Sequence, residues 1–173
     1  MTKPSTQKMG FRPMADADLE RVLAWRNHQE VRRYMFAQHE ITFDEHHRWF
    51  ERARLNPLKH LLIFEAEDQA LGFVSFTEFK SSRIADWGFY AAPDAPKGFG
   101  RELGRVALTH AFKDIKLHKV CGRALAFNER SLHFHQSLGF KQEGLLRDQH
   151  FDGECYHHVI CFGLLFNEWQ HTL

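Results

Sequence analysis

Between residues 60 and 115 the hydrophobic period of the chain changes, and that change constrains the fold more than any other feature. His60 to Ala66, Leu71 to Phe79 and Arg83 to Ala91 alternate with period two and read as three strands. The polar turns Glu67-Asp68-Gln69 and Lys80-Ser81-Ser82 join them into an antiparallel meander. Ala95-Pro96-Lys97-Gly98-Phe99-Gly100-Arg101-Glu102-Leu103 then leads into a helical pattern, Gly100 to about Ile115, with Leu103, Ala107 and Ala111 on one face. Two glycines two apart let a backbone come close to a ligand. The helix behind them points free N–H groups and the positive end of its dipole at the same place. That is the physical arrangement that grips a diphosphate.

The remaining periodicity surrounds the meander with helices. Lys8 to Met14 reads as a strand, and a helix opens at Asp16 with Leu19, Val22 and Leu23 at helical spacing. Thr42-Phe43-Asp44-Glu45 is a capping box for a helix that stops at Asn56-Pro57. Lys119 to Ala126 is a strand, and Glu129 to Leu138 a helix closed by Gly139. Phe140 to Arg147 and Glu154 to Leu164 form a final pair of strands joined through Asp152-Gly153. The order β-α-α-β-β-β-α-β-α-β-β predicts an α/β (α+β) domain with a mixed, mostly antiparallel sheet flanked by helices. Without repeats or long linkers, 173 residues make one domain over 8–173, preceded by a flexible N-terminus over 1–7.

Composition excludes several functions. A net charge of +1 gives no broadly basic surface for nucleic acid. No apolar run approaches the ~20 residues that span a bilayer, and Met1 to Lys8 lacks the apolar core of a secretory signal. Cys121, Cys155 and Cys161 have no CxxC spacing and read as free thiols in a reducing compartment, so the cytoplasm is expected. His46-His47, His133 with His135, and His157-His158 lack metal-ligand spacing, and no metal is expected.

Three phosphate-gripping designs compete for the loop. No GxxxxGK segment followed by Ser or Thr exists, and the dinucleotide pattern GxGxxG is broken because the third glycine comes one residue late, at Gly104. The third design lies in a family resemblance. Ala95-Pro96-Lys97-Gly98-Phe99-Gly100 is similar to the acyl-CoA loop of the GCN5-related N-acetyltransferases, Gln/Arg-x-x-Gly-x-Gly/Ala, with Ala95 in place of Gln or Arg. Asn128 to Phe140, followed by Glu143-Gly144, resembles that family's late strand-to-helix block. Trp25-Arg26-Asn27, Glu30-Val31-Arg32, His47 and Trp49-Phe50 further resemble the sugar-nucleotide N-acetyltransferases of pseudaminic-acid biosynthesis.

The resemblance implies the acetyltransferase fold, acetyl-CoA as cosubstrate and attack of an amine on the thioester without an acyl-enzyme. It implies a small-molecule acceptor, a UDP-linked amino-dideoxy sugar acetylated on its 4-amino group, and a homodimer is compatible with the final hairpin. Main-chain groups of Phe89, Tyr90 and Ala91 are expected on the pantetheine, the amides of Lys97, Gly98, Phe99, Gly100 and Arg101 on the pyrophosphate, and Asn128 and Ser131 beside the cofactor. His135 stands where the family commonly places a Tyr acid, and reads equally as a core histidine. The base is open between Asp86, Glu78 and a relaying water, because Arg123 replaces a usual Glu. Trp25, Arg26, Asn27, Arg32, Trp49 and Lys80 are the candidate acceptor residues. Two alternatives stay open: a protein N-terminal acetyltransferase of the ribosomal-protein type, and a non-catalytic acyl-CoA-binding domain.

Overall fold

The alternation read above becomes a seven-stranded sheet because each strand has one face to bury under helices and the sheet has two faces to cover. The computed structural model describes residues 9–170, so the expected flexible segment 1–7 lies outside the described residues. In chain order the strands are β1 (Met9–Pro13), β2 (Lys59–Ala66), β3 (Gln69–Glu78), β4 (Ile84–Ala91), β5 (Lys119–Leu125), β6 (Lys141–Phe151) and β7 (Tyr156–Leu165). The helices are α1 (Leu19–Asn27), α2 (Gln29–Arg32), α3 (Phe43–Arg54), α4 (Phe99–Lys113), α5 (Glu129–Ser137) and α6 (Phe166–Gln170). The sheet order is β1-β2-β3-β4-β5-β7-β6. Every neighbouring pair is antiparallel except β4 and β5.

Two apolar layers sandwich the sheet. On the back, Phe64, Val74, Phe76 and Trp87 pack under Leu103, Ala107, Leu108 and Ala111 of α4 and against Phe140 and Phe162. On the front, Ile63 and Phe73 pack under Leu19, Val22 and Trp25 of α1 and Phe50 of α3. Each large side chain so buried contributes about 1.5–3 kcal/mol. Together they fix which residues of β4 face front and which face back.

The local signals explain the boundaries. Thr42 Oγ1 accepts from the Glu45 amide at 3.3 Å and Glu45 returns a carboxylate oxygen to the Thr42 amide at 2.8 Å, starting α3 as a reciprocal box. Arg12 on β1 donates to Asp18 at 2.6 Å and to Glu65 at 2.6 Å, anchoring the entrance of α1 to the sheet. Gly98 caps α4 with φ of 84°, a left-handed conformation that suits glycine. The expected helix start at Asp16 is a single 3-10 turn before α1. β6 runs on to Phe151 through two register shifts, past the expected end at Arg147. The short helix α6 carries no period long enough to read.

Candidate active site

β4 and β5 pair over only three rungs, Ile84 with Lys119, Ala85 with Val120 and Asp86 with Cys121. Beyond these, β4 continues paired to β3 as far as Ala91, and β5 continues paired to β7 as far as Leu125. The two strands therefore part like a fork, with a slot between Trp87–Ala91 and Gly122–Leu125. Both prongs lead into helix N-termini, α4 after β4 and α5 after β5. Unpaired backbone donors thus converge on the open end.

The glycine loop supplies part of what its sequence promised. The Phe99 amide is spent on Pro96 O at 3.1 Å and the Arg101 amide on Gly98 O at 3.3 Å. The amides of Lys97, Gly98 and Gly100 have no partner among the described residues. Of the five amides expected on the pyrophosphate, the tight turn uses two as its own donors and leaves three unpaired. A Cβ built at Gly100 meets nothing within 4 Å, so the chain's own packing does not require glycine there. On the other prong, Asn128 accepts from the Ser131 amide at 3.1 Å and caps α5. Phe89 turns back onto Trp87 and Phe134, with centroids 4.6 and 4.7 Å away. Tyr90 turns forward onto Phe73.

His135 lies under the slot with 1% of its surface exposed. Its Nδ1 is 2.8 Å from Ser131 O and its Nε2 accepts from the Trp87 indole at 3.1 Å, which fixes the Nδ1–H tautomer. Phe162 stacks on the ring at 4.7 Å, and a Cβ on Gly122 would strike its Cδ2 at 2.8 Å. Burial lowers its pKa, so at neutral pH it carries one proton, already donated. Of its two readings, these surroundings fit the core histidine and correct the expectation of an acid.

The two candidate carboxylates point to opposite faces. Asp86 is directly opposite Thr77 on the front, whereas Glu78 is opposite Ala85 on the back. Glu78 is also taken up by His60, 2.8 Å away. Asp86 stands half-buried at the crotch of the fork. Burial pushes its pKa up, and Arg123 offsets part of that rise. The fork therefore holds Asp86 at the point where the strands part, on the front, and leaves Glu78 on the other face.

The acceptor candidates divide in the same way. Trp25 is core, and Asn27 is a staple, exchanging two hydrogen bonds with Ile41 at 2.8 and 2.9 Å to pin the α2–α3 loop. Arg32 is paired to Glu40 at 3.5 Å. Lys80 sits in the β3–β4 turn, and six residues of β4 at ~3.3 Å each separate that turn from Tyr90, about 20 Å. Lys80 therefore stands at the other end of β4 from Tyr90 and Arg26. Trp49 packs on Phe73 at 6.1 Å and stacks on His46 at 5.1 Å. Arg26 is the exception. Its Nη2 donates to Ala37 O at 2.6 Å, while its Nη1 is buried without a partner. Burial lowers its pKa, and the Tyr90 phenol, itself pushed up by burial, lies close enough to interact.

Apart from Tyr34, an aromatic that the sequence itself offers as a pocket lining, sequence reading missed the other walls of the front. His46 is 4% exposed, feels the Arg26 charge and leaves Nε2 buried and unpartnered. Tyr34 and Phe36 of the α2–α3 loop meet Phe127 at 6.3 Å and His150 at 5.4 Å. His157 packs on Phe127 at 4.8 Å and is held by Asp152 at 2.5 Å, whose carboxyl is lowered by the Cys155 amide first and by His157 second. The only hint in the sequence was the density of aromatic and imidazole residues in segments far apart along the chain.

Among the described residues no group of three or more His, Cys, Asp or Glu is placed to hold a metal, and no helix is long and apolar enough to cross a membrane. Spermidine N(1)-acetyltransferase of Vibrio cholerae is 25% identical over 155 residues, 88% of this chain and 90% of that protein. The uncharacterized N-acetyltransferase YokL of Bacillus subtilis is 27% identical over 125 residues, 70% of each chain. A putative ribosomal N-acetyltransferase of the same organism, YdaF, is 28% identical over 120 residues, 68% of this chain and 64% of that protein. The crystal structure of the Vibrio spermidine enzyme with CoA and spermine superposes with a TM-score of 0.86, covering 94% of this chain and 98% of that one at 24% identity, which shows the fold. The expected closeness to sugar-nucleotide acetyltransferases thus reduces to the family, since these relatives carry polyamine and ribosomal names. A forked sheet with a glycine-capped helix on one prong accords with the match of residues 8–141 to the acetyltransferase (GNAT) domain family. The chain belongs to that family and is an N-acetyltransferase.

Proposed function

We propose that the enzyme transfers the acetyl group of acetyl-CoA to a primary amine on an anionic small molecule, of the class of UDP-linked amino-dideoxy sugars acetylated at the 4-amino group. One observation carries this reading: Arg26 keeps a buried, unpartnered Nη1 on the acceptor face, beside Tyr90 and His46. A half-buried guanidinium that keeps one buried N–H group unpaired and has no counter-charge carries a desolvation cost. A diphosphate relieves that cost, because the guanidinium fork binds two oxygens. A polyamine, cationic along its length, adds to it. The polyamine named for the relatives is accordingly a poor match to this face.

The cofactor side follows from the fork. The amides of Lys97, Gly98 and Gly100 and the N-terminus of α4 receive the pyrophosphate, and the pantetheine lies in the slot against the main chain of Phe89 to Ala91. Asn128 and Ser131 close the far prong. Asp86 is the base: it lies two residues from Gly88, on the side from which the amine arrives, with a pKa raised towards the working range of a proton acceptor. The amine loses its proton to Asp86 as its nitrogen attacks the thioester carbon; the tetrahedral adduct then breaks its C–S bond, giving the amide and CoA thiolate, which takes a proton from solvent. His135 shapes the slot wall through Trp87.

Thiol release from acetyl-CoA, measured against UDP-amino sugars, spermidine and N-terminal peptides, tests the reading. Release with the nucleotide sugars alone is expected. Release with spermidine in preference to them overturns the acceptor assignment, and release with peptides alone favours a protein acetyltransferase. Tight CoA binding without release for any acceptor favours a non-catalytic domain.

A further inference from the structure

The closed end of the fork holds a second feature that acetyl transfer does not use. A cavity of about 520 Å³ opens where β4 and β5 begin, floored by Phe112, Leu117, Phe166 and Trp169. Its remaining lining is Arg83, Lys113, Lys116 and His118, with no carboxylate among them. None of these four side chains makes an ion pair or hydrogen bond among the described residues. The neighbouring cations are spent: Lys119 on Glu143 at 2.7 Å and Lys141 on Glu168.

Three further observations separate this cluster from ordinary surface charge. Lysines near the end of α4 gain from the helix dipole, but Arg83 belongs to the β3–β4 turn and gains nothing from it. Arg83 and Lys116 both hold left-handed backbone, φ 53° and 65°, where glycine or asparagine is at ease and a long side chain carries a steric cost. Trp169 is 3% exposed, and its indole N–H is buried without an acceptor. The walls are also preformed. The His118 amide donates to Arg83 O at 2.7 Å and the Phe166 amide to His118 O at 2.9 Å, locking the three segments together. Phe112 meets Phe166 at 5.9 Å and Trp169 at 6.3 Å, giving an aromatic floor.

We propose that this cavity is a second binding site, for a small molecule that joins an apolar, ring-sized body to an anionic oxygen group such as a carboxylate. The size suits such a ligand. Phe166, the one floor side chain with open surface, takes the ring over buried Phe112 and Trp169, and the four cations take the charge. The site lies across the three paired rungs from the acetyl-transfer slot, so it binds whether or not the slot is filled.

The probe is 8-anilinonaphthalene-1-sulfonate, titrated by fluorescence into the full chain saturated with acetyl-CoA. The test variant is Arg83→Asn with Lys116→Gly, substitutions that relax the left-handed backbone while removing charge. A rise in probe Kd of at least tenfold, with thermal unfolding unchanged or higher, is expected. Arg83→Lys should keep the affinity within about threefold. If the double variant loses its fold, Lys113→Gln answers the same question with a rise of about threefold. An unchanged Kd in these variants overturns the proposal, as does tighter probe binding to the parent when acetyl-CoA is left out. Benzoate should displace the probe. Displacement by inorganic phosphate at equal concentration would overturn the apolar half of the site.

Discussion

The two ends of the β4–β5 pair are built from neighbouring stretches of the same strands and behave as opposites. At the closed end three rungs and the Arg83 carbonyl tie the strands together. At the open end each strand keeps its other partner but loses this one. Backbone groups released by the parting face a slot walled by aromatic rings and ending in helix N-termini. A rigid hinge beside a slot of fixed width needs no moving parts. The difference lies in the side chains after the third rung: Trp87 and Phe89 on one prong, Gly122 on the other. The glycine leaves room for His135 to wedge between them.

That contrast can be broken at several points. Removing the carboxylate at the crotch tests whether chemistry resides there. Asp86→Asn should lower kcat by roughly a hundredfold or more, the usual worth of a positioned base, with little change in the KM for acetyl-CoA. Activity in the unaltered enzyme should fall on acidification as the raised Asp86 pKa is crossed, and that acidic limb should vanish in Asp86→Asn. A residual limb with unchanged kcat would remove Asp86 from the mechanism.

Filling the wedge tests the geometry itself. Gly122→Val puts methyl groups where His135 Cδ2 and Trp87 Nε1 already stand, 2.8 and 2.9 Å from a Cβ. It should destabilise the fold by about 1–3 kcal/mol in chemical denaturation. A variant at least as stable as the parent would mean that the prongs are freer than described. Arg26→Ala should raise the KM for the acceptor about tenfold and leave that for acetyl-CoA unchanged. Equal effects on both would show that Arg26 only holds the α2–α3 loop through Ala37.

The smallest effect concerns the buried imidazoles. Burial depresses the pKa of both His46 and His135 in the folded state. Their contribution to stability is therefore fully present above the unfolded histidine value of ~6.5 and is lost as pH falls through the depressed folded values. Tm measured from pH 7.5 downwards should stay level and then decline below about pH 6.5. In His135→Leu that decline should be shallower, and an identical slope would show that His135 does not stay neutral in the folded protein.

Backbone-built parts of the site were legible in the sequence, and side-chain-built parts were not. The Gly98 turn, the Asn128 cap and the Thr42 box use local spacing, because each joins groups three or four residues apart. Even so, spacing alone did not reveal that the turn spends two of its own amides. The front wall draws Arg26, Tyr34, His46, Phe127, His150 and His157 from six segments, and no local pattern links them. Asp86 and Glu78 looked equivalent until register placed Thr77 opposite one and Ala85 opposite the other. Lys80 shared the chemistry of the site but not its end of the strand. His135 has the position of an acid in the family's motif, yet its proton is committed to Ser131.

The staple between Asn27 and Ile41 has a consequence for thermodynamics and kinetics. Two hydrogen bonds close the loop that carries Tyr34 and Phe36, so that loop is ordered when the protein folds. Acceptor binding then carries no entropy of loop ordering. Its heat-capacity change should reflect only the surface covered, and association should proceed in a single fast phase. Cutting the staple with Asn27→Ala would move the ordering from folding to binding and slow the on-rate, while the chemical step stays unchanged.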